Sequence, residues 1–332
     1  MSSSISAHTP AARLRRAAAV AIVGVVAALP AIALATPAHA ATTSVSTASQ
    51  LKSALKAAAP GDTIVLADGT YTGKFVAATS GTAAAPITLA GSRGAVLTTG
   101  SVGSGYAVNL TGDHWNLSGF TVAIAKKGVV LDGSNGSRLD GLDVGSIGEE
   151  AVHVRENSTG AVIVNSSIHH TGQTDAGYGE GIYVGSAQSN WESVTGSAST
   201  PDRSDGVVIE SNTIWATSAE GIDVKEGTTG GRIAGNRFVD AGLSGANYAD
   251  SWVDVKGNGY TVENNWGSGA LTDAFQVHVA SAGWGQGNLF RRNGQLSGVP
   301  GFEVNAQSTT AGTVVACAPS GAGRGLSNIP CV

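Results

Sequence analysis

His153, Tyr183, Asp223 and Asp254 each stand between two apolar residues in a short segment, and such segments recur along the 332-residue chain. Two residues after them come Arg155, Gly185, Lys225 and Lys256, with His278 at the same place in the next segment. Three residues before them come Glu150, Glu180, Glu220 and Ser251. If the segments stack, acid lies over acid and lysine over lysine, one repeat apart. Charged residues make up only 13% of the chain, so this cluster is more than a solvated face requires. Like charges this close destabilise one another unless a cation, a bound anion or a proton relieves them. Glu180 and Glu220 therefore read as oxygen ligands for a hard cation, Ca2+ foremost. Asp223 and Asp254 could join them or work as a proton-sharing pair. The structural alternative is that outward strand positions are polar anyway and that opposed charges on neighbouring strands pair for a small gain.

The elements that must position these residues are short stacked strands. Seven segments share the pattern: Val129-Val130-Leu131, Val152-His153-Val154, Ile182-Tyr183-Val184, Ile222-Asp223-Val224, Val253-Asp254-Val255, Phe275-Gln276-Val277 and Phe302-Glu303-Val304. A second register lies between them, opening on Ser118, Asp140, Ser166, Asn212, Asn236, Asn264 and Asn288. Most steps between equivalent positions are about 22 to 31 residues, the range of a solenoid. Each coil would send alternate side chains into a shared core, with the next coil ~4.8 Å above it. The Ser/Asp/Asn column predicts an internal ladder that satisfies backbone groups at a turn. A sandwich or propeller competes, but neither explains two matched columns with almost no hairpin dipeptides. The reading is an all-β parallel β-helix. One amphipathic helix, over 46–59, precedes the array as a cap. Ser46 or Thr47 would cap it, Leu51, Leu55 and Ala58 would share a face, and Pro60-Gly61 would stop it. Insertions over 185–206 and 240–251 adjoin the charged face and would wall it, unless they are only tolerated loop drift. They bring Trp191, Arg203 and Tyr248, and nearby Trp252 and Trp284 could add stacking platforms for sugar rings; ordinary packing is the alternative for each aromatic.

The ends and the charge balance bound the setting. Arg13, Arg15 and Arg16, then an apolar run to Leu34 and Ala38-His39-Ala40, read as a signal peptide over 1–40. A membrane anchor fits worse, because Pro30 interrupts a run rich in small residues. Secretion follows, with one β-helix domain over 41–315 and a tail over 316–332. Removing three arginines and no acid from a net charge of −5 leaves −8, which disfavours nucleic acid and anionic membranes as partners. Cys317 and Cys331 are the only cysteines and predict one disulfide pinning the tail.

Gly61-Asp62-Thr63-Ile64-Val65-Leu66-Ala67-Asp68-Gly69-Thr70-Tyr71, followed by Ala85-Pro86-Ile87-Thr88-Leu89, resembles the opening of secreted right-handed β-helix polysaccharide lyases of the chondroitinase B and alginate lyase type. The rung Glu220-Gly221-Ile222-Asp223-Val224-Lys225 resembles the family rung in which a Ca2+-binding Glu precedes the catalytic Lys. The resemblance implies a ligand role for Glu220 and a base role for Lys225. It also marks two departures: Ser218 stands where the family has a second acid, and Lys256 where it has an arginine. The implied reaction is β-elimination on a uronic-acid polysaccharide, with Ca2+ at Glu180 and Glu220 and Lys225 taking the C5 proton. Lys256 or Arg155 would stabilise the enediolate, and His153, Tyr183 or His278 would protonate the leaving oxygen. The expected partner is the polysaccharide itself, met by a monomer. Two other readings stand beside it: a glycoside hydrolase using Asp223 and Asp254, and a non-catalytic glycan-binding β-helix.

Overall fold

Alternation of apolar and polar residues with period two, interrupted by residues that tolerate left-handed turns, builds three long sheets in the computed structural model, which describes residues 40–332. The signal-peptide reading falls almost wholly outside the described residues. One sheet has eleven strands and the other two have nine each, and neighbours within every sheet pair in parallel. Successive coils thus contribute one strand to each sheet, as in Val162–Val164, Ser167–His169 and Ile182–Val184. This is the parallel β-helix, and its core is the continuous column of inward apolar side chains. Each fully buried Val, Ile, Leu or Phe in that column contributes about 1.5–3 kcal/mol.

Both open ends are covered. Helix α1 (Ala48–Ala57) is capped by the Thr47 hydroxyl and buries Leu51 and Leu55. It is shorter than its amphipathic pattern, and the array begins before it, since Thr42–Val45 pairs with Thr63–Leu66. At the other end the tail lays Ala322, Leu326 and Ile329 on the core and is closed by the Cys317–Cys331 disulfide.

Turns between strands carry the polar ladder. Ser166 N donates to Asn212 Oδ1, and Asn212, Asn236 and Asn265 donate in turn to the Oδ1 of Asn236, Asn265 and Asn293. The side-chain amides donate to core-strand carbonyls, as Asn236 Nδ2 does to Ile209 O at 2.9 Å. The ladder runs through Asn265 and Asn293 rather than Asn264 and Asn288. Asn264 instead takes the left-handed turn (φ 56°) that Asn165, Ser211 and Gly235 take in earlier coils. Asn288 accepts from Tyr260 N in another turn.

The nine-stranded sheet that runs from Phe75–Ala77 to Val304–Ala306 carries the charged columns; we call it the site sheet. Its register aligns His153 with Tyr183, Tyr183 with Asp223, Asp223 with Asp254 and Asp254 with Gln276. The last step differs from the sequence pattern. Gln276 pairs with Asn305, two residues beyond Glu303. A slip of two keeps every side chain on its own face, so alternation does not distinguish the frames.

Trp191 and Trp252 are corrections. Trp252 is fully buried in the core, stacked on Phe238 with centroids 5.6 Å apart, and its Nε1 donates to Gly269 O. Trp191 starts a short helix, Trp191–Thr195, inside the first insertion and is 3% exposed, with Nε1 donating to Ser186 O. Neither offers a face to a sugar. Both rings satisfy their single N–H on a carbonyl, as buried indoles must.

Candidate active site

Three consecutive strands of the site sheet, Ile182–Val184, Ile222–Val224 and Ser251–Val255, place Tyr183, Asp223 and Asp254 in one outward row. Lys225 and Lys256 follow just past the strand ends, and the side chains close into an alternating chain of charge. Lys225 Nζ lies 2.6 Å from Asp223 Oδ2, and Lys256 Nζ lies 2.8 Å from Asp223 Oδ1 and 2.5 Å from Asp254 Oδ2. His278 Nδ1 completes it, 2.8 Å from Asp254 Oδ1. Lys256 is half-buried, which lowers its pKa, yet the carboxylates of Asp223 and Asp254 outweigh this and hold it protonated well above the usual lysine range. Despite burial, the Lys256 charge and the His278 hydrogen bond keep the Asp254 carboxyl well below its ordinary range. Asp254 in turn raises the pKa of His278, whose side chain is 41% exposed.

A cleft of about 400 Å3 opens over this chain, lined by Glu180, Glu220, Asp223, Lys225, Asp254, Lys256 and His278, with Asn247, Tyr248 and Gln307 at its rim. Tyr248 is 88% exposed at the tip of the second insertion. That insertion rests on the Ala176–Tyr178 turn through Asn247 Nδ2, which donates to Gly177 O. Ser218, at the position of the family's second acid, donates to Ala176 O and braces the same turn.

Glu180, Glu220 and Asp223 each place a carboxylate oxygen so that the three lie within 4.8 Å of one another. Glu180 is 3% exposed, and its Oε2 has no hydrogen-bond partner among the described residues. Burial, then the charges of Glu150, Asp223 and Glu220, push the Glu180 carboxyl far up. Burial and Asp223 push Glu220 up to about 8. Three clustered carboxylates, one of them with a buried oxygen that has no partner among the described residues, fit a hard, oxygen-loving dication.

Tyr183 adjoins the Lys225 end of this cleft without lining it. The Lys225 ammonium stands 5.0 Å from its ring centroid, and the His153 ring meets it edge-on at 4.6 Å. Among the described residues its hydroxyl makes no hydrogen bond, and the residue lines a second cleft with Lys127, Glu150, His153, Arg155 and Tyr178. Burial raises the phenol pKa well above its usual value, Asp223 adding to the effect, so it carries its proton at any working pH.

The remaining expected residues are drawn apart. His153 is 5% exposed, its Nε2 engages Gly185 O at 3.1 Å, and burial followed by the Lys127 and Arg155 charges keeps it neutral. Its ring packs edge-on against Tyr183 and lines the second cleft, not that of Lys225. Arg155 is bound to Asp132 at 2.6 Å and lines the neighbouring cleft, not that of Lys225. Arg203 and Trp284 pair with each other, guanidinium to ring centroid 5.9 Å, and line neither cleft. Asn247, Gln307 and Tyr178 went unmarked in the sequence because loop residues follow no strand period. Glu226 was also unmarked: it is buried and accepts from Gln188 N at 2.6 Å, anchoring the first insertion.

A parallel β-helix with an acid-and-lysine cleft on one sheet defines a solenoid protein with a charged groove, and known proteins refine the class. The family model for the right-handed β-helix region matches residues 106–293, and that for chondroitinase B matches residues 45–127. An alginate lyase from Paenibacillus sp. str. FPU-7 superposes with a TM-score of 0.78 at 42% identity, over 86% of this chain and 97% of that one. Pectate lyase Pel9A shares the fold alone, with a TM-score of 0.60 and 15% identity over 84% of this chain and 79% of that one. The lacto-N-biosidase of Eubacterium ramulus likewise shares the fold, with a TM-score of 0.58 at 10% identity over 83% of this chain and 60% of that one. No curated protein sequence matches the chain. The chain belongs to the right-handed β-helix polysaccharide lyases, the family of the Paenibacillus enzyme.

Proposed function

We propose that the protein is a secreted lyase that cleaves a uronic-acid polysaccharide, alginate before others, by β-elimination with Lys225 as base and Tyr183 as acid. The observation that carries this reading is the contrast between the two lysines. Lys256 is clamped by two carboxylates and stays charged; Lys225 touches one carboxylate and stands over the Tyr183 ring at the cleft edge. A base must be able to lose its proton, and a fixed cation serves better as an electrostatic stabiliser.

The neutral Lys225 amine takes the C5 proton of the uronate. The electron pair left on C5 delocalises into the carboxyl group as an enediolate, beside the fixed charge of Lys256 and the imidazole of His278. The pair returns to form the C4–C5 double bond as the C4–O bond breaks, and the Tyr183 hydroxyl gives its proton to the leaving oxygen. Solvent then returns a proton to Tyr183 and removes one from Lys225. Glu180 and Glu220, with Asp223, would hold Ca2+, which would neutralise the uronate carboxylate and acidify the C5 proton. Tyr248, at the cleft rim, would cover a bound sugar. The basic leader and the disulfide support export, and among the described residues no helix is long and apolar enough to cross a membrane. The hydrolase reading weakens because the Lys256 ammonium lies within 2.8 Å of both Asp223 and Asp254, so neither is placed as a proton-donating acid.

The purified protein incubated with alginate, pectate and glycosaminoglycans should release products with no added water whose unsaturated ends absorb in the ultraviolet. Products that have gained water, or no products with or without Ca2+, would overturn the proposal.

A further inference from the structure

Tyr183 stands between two clefts of the site sheet. Its register partners are His153 on the coil before and Asp223 on the coil after. On the Asp223 side opens the cleft of Lys225 and Lys256. On the His153 side lies the second cleft, about 360 Å3, lined by Tyr183 itself with Lys127, His153, Arg155, Asn190 and Ser193 among others. A third cleft, about 500 Å3, shares His278 and Tyr248 with the Lys225 cleft and reaches Thr272 and Arg324. The strands beneath them follow one another from Lys127–Asp132 to Val304–Ala306 at ~4.8 Å per coil, so the three clefts form a row along the solenoid axis.

Two groups in the second cleft have bonding capacity left over. Lys127 is not one of them, since Glu149 and Glu150 take up its Nζ at 3.4 and 2.5 Å. Arg155 is: Asp132 holds Nε at 2.6 Å, Nη2 reaches Asp132 and the Tyr106 hydroxyl at 3.4 Å, and among the described residues Nη1 makes no hydrogen bond. A guanidinium fixed along one edge can receive a carboxylate on its free nitrogen without first being ordered. His153, 5% exposed, is the other. A carbonyl only accepts, so Nε2 donates to Gly185 O and Nδ1 is an acceptor, with no donor among the described residues. The nearest charged group, Glu150 Oε1 at 3.6 Å, is an acceptor too. This wall thus has a cation for a carboxylate and an acceptor for a hydroxyl, the two groups a uronate sugar carries. β-Elimination breaks the bond from C4 of the attacked sugar to the glycosidic oxygen, and that oxygen stays on C1 of the preceding sugar. With Lys225 at the attacked sugar and Tyr183 at the oxygen, the preceding sugar lies past Tyr183. Resting on that assignment of base and acid, we propose that the second cleft binds the uronate on the non-reducing side of the bond broken, its carboxylate on Arg155. The polymer then lies with its non-reducing end toward Lys127 and its reducing end toward Arg324.

The Lys225→Arg protein, which should bind without cutting, is mixed in Ca2+-containing buffer with an alginate hexasaccharide that carries a nitroxide at its reducing end. Its amide signals are followed by nuclear magnetic resonance. The nitroxide should broaden Thr272 and Arg324 and leave Asn190 and Ser193 sharp. In the same background, Arg155→Gln should weaken hexasaccharide binding about ten- to a hundredfold. Ser193→Trp, at an exposed position on the wall of the second cleft, should weaken it too and leaves Arg155 and its partners in place. Thermal unfolding at the parent temperature shows that each variant keeps the fold. Broadening at Asn190 and Ser193, no binding of the hexasaccharide, or binding unchanged in both variants would overturn the proposal. The two readings fail separately: β-elimination on products that have gained water, the polarity on the position of the nitroxide.

Discussion

Asp254→Asn perturbs the hub of the charge chain while keeping its shape. Asp254 is 3% exposed and accepts from two cations, Lys256 at 2.5 Å and His278 at 2.8 Å. The amide replaces one acceptor oxygen by an NH2 group that faces a donor, so one contact is lost and the other loses its charge. Breaking one side of a buried, hydrogen-bonded ion pair costs about 3–5 kcal/mol, which in a chain this long lowers the unfolding temperature by roughly 5–8 °C. The pH dependence follows from the shifted groups. Asp254 is depressed, so its contribution is complete above the ordinary carboxylate range and is lost only as pH falls through its lowered pKa. His278 is raised, so its share is complete below the ordinary imidazole value and is lost as pH rises through the raised one. The stability gap between the wild type and Asp254→Asn should therefore be widest near pH 5 and should narrow toward pH 9. Differential scanning calorimetry from pH 4 to 9 measures it. A gap under about 1 kcal/mol, the worth of a surface pair, or one that widens with pH, would refute the buried-hub account. Lyase turnover of the variant should fall but persist, because neither proton-transfer group is removed.

Three further outcomes are expected. Glu303 is buried and pushed up to about 7, so the folded protein loses stability as pH rises from about 4.5 to 7; Glu303→Gln should unfold at a higher temperature than the wild type at pH 8 and at the same temperature at pH 4. Asn236→Ala removes the Oδ1 that receives Asn212 N and the Nδ2 that serves Ile209 O; leaving those groups buried and unpaired should cost roughly 2–4 kcal/mol in urea unfolding with an unchanged slope. Tyr183→Phe removes only the hydroxyl and should lower kcat by about 10²–10⁴ with little change in KM.

The parts of the fold legible in the sequence were those set by periodicity. Alternation and the repeat length led to the stacked strands, the shared outward row from His153 to Gln276, and the joining of Glu180 and Glu220 in one cluster. Where two frames satisfy the same period, the pattern is silent. Glu303 and Asn305 lie on the same face, and which of them continues the row depends on how the tail closes the last coil. Asn264 and Asn265 are chemically identical, and only the backbone turn decides which enters the ladder. Aromatics misled for a related reason: Trp252 occupies a strand position whose inward side is visible only when neighbouring coils supply Phe238 and Phe275. Loop contributions such as Asn247 and Gln307 reach the cleft through tertiary contacts that leave no spacing to read.

The central claim is that Lys225 moves the proton. Lys225→Arg keeps a cation beside Asp223 and Tyr183 but removes a side chain able to deprotonate. Ultraviolet absorbance of the products of alginate digestion, with mass spectrometry of the ends, measures the outcome. The wild type should give unsaturated ends, and the folded Lys225→Arg variant should show at least a hundredfold loss. Unsaturated ends released by that variant at a rate near the wild type's would contradict it.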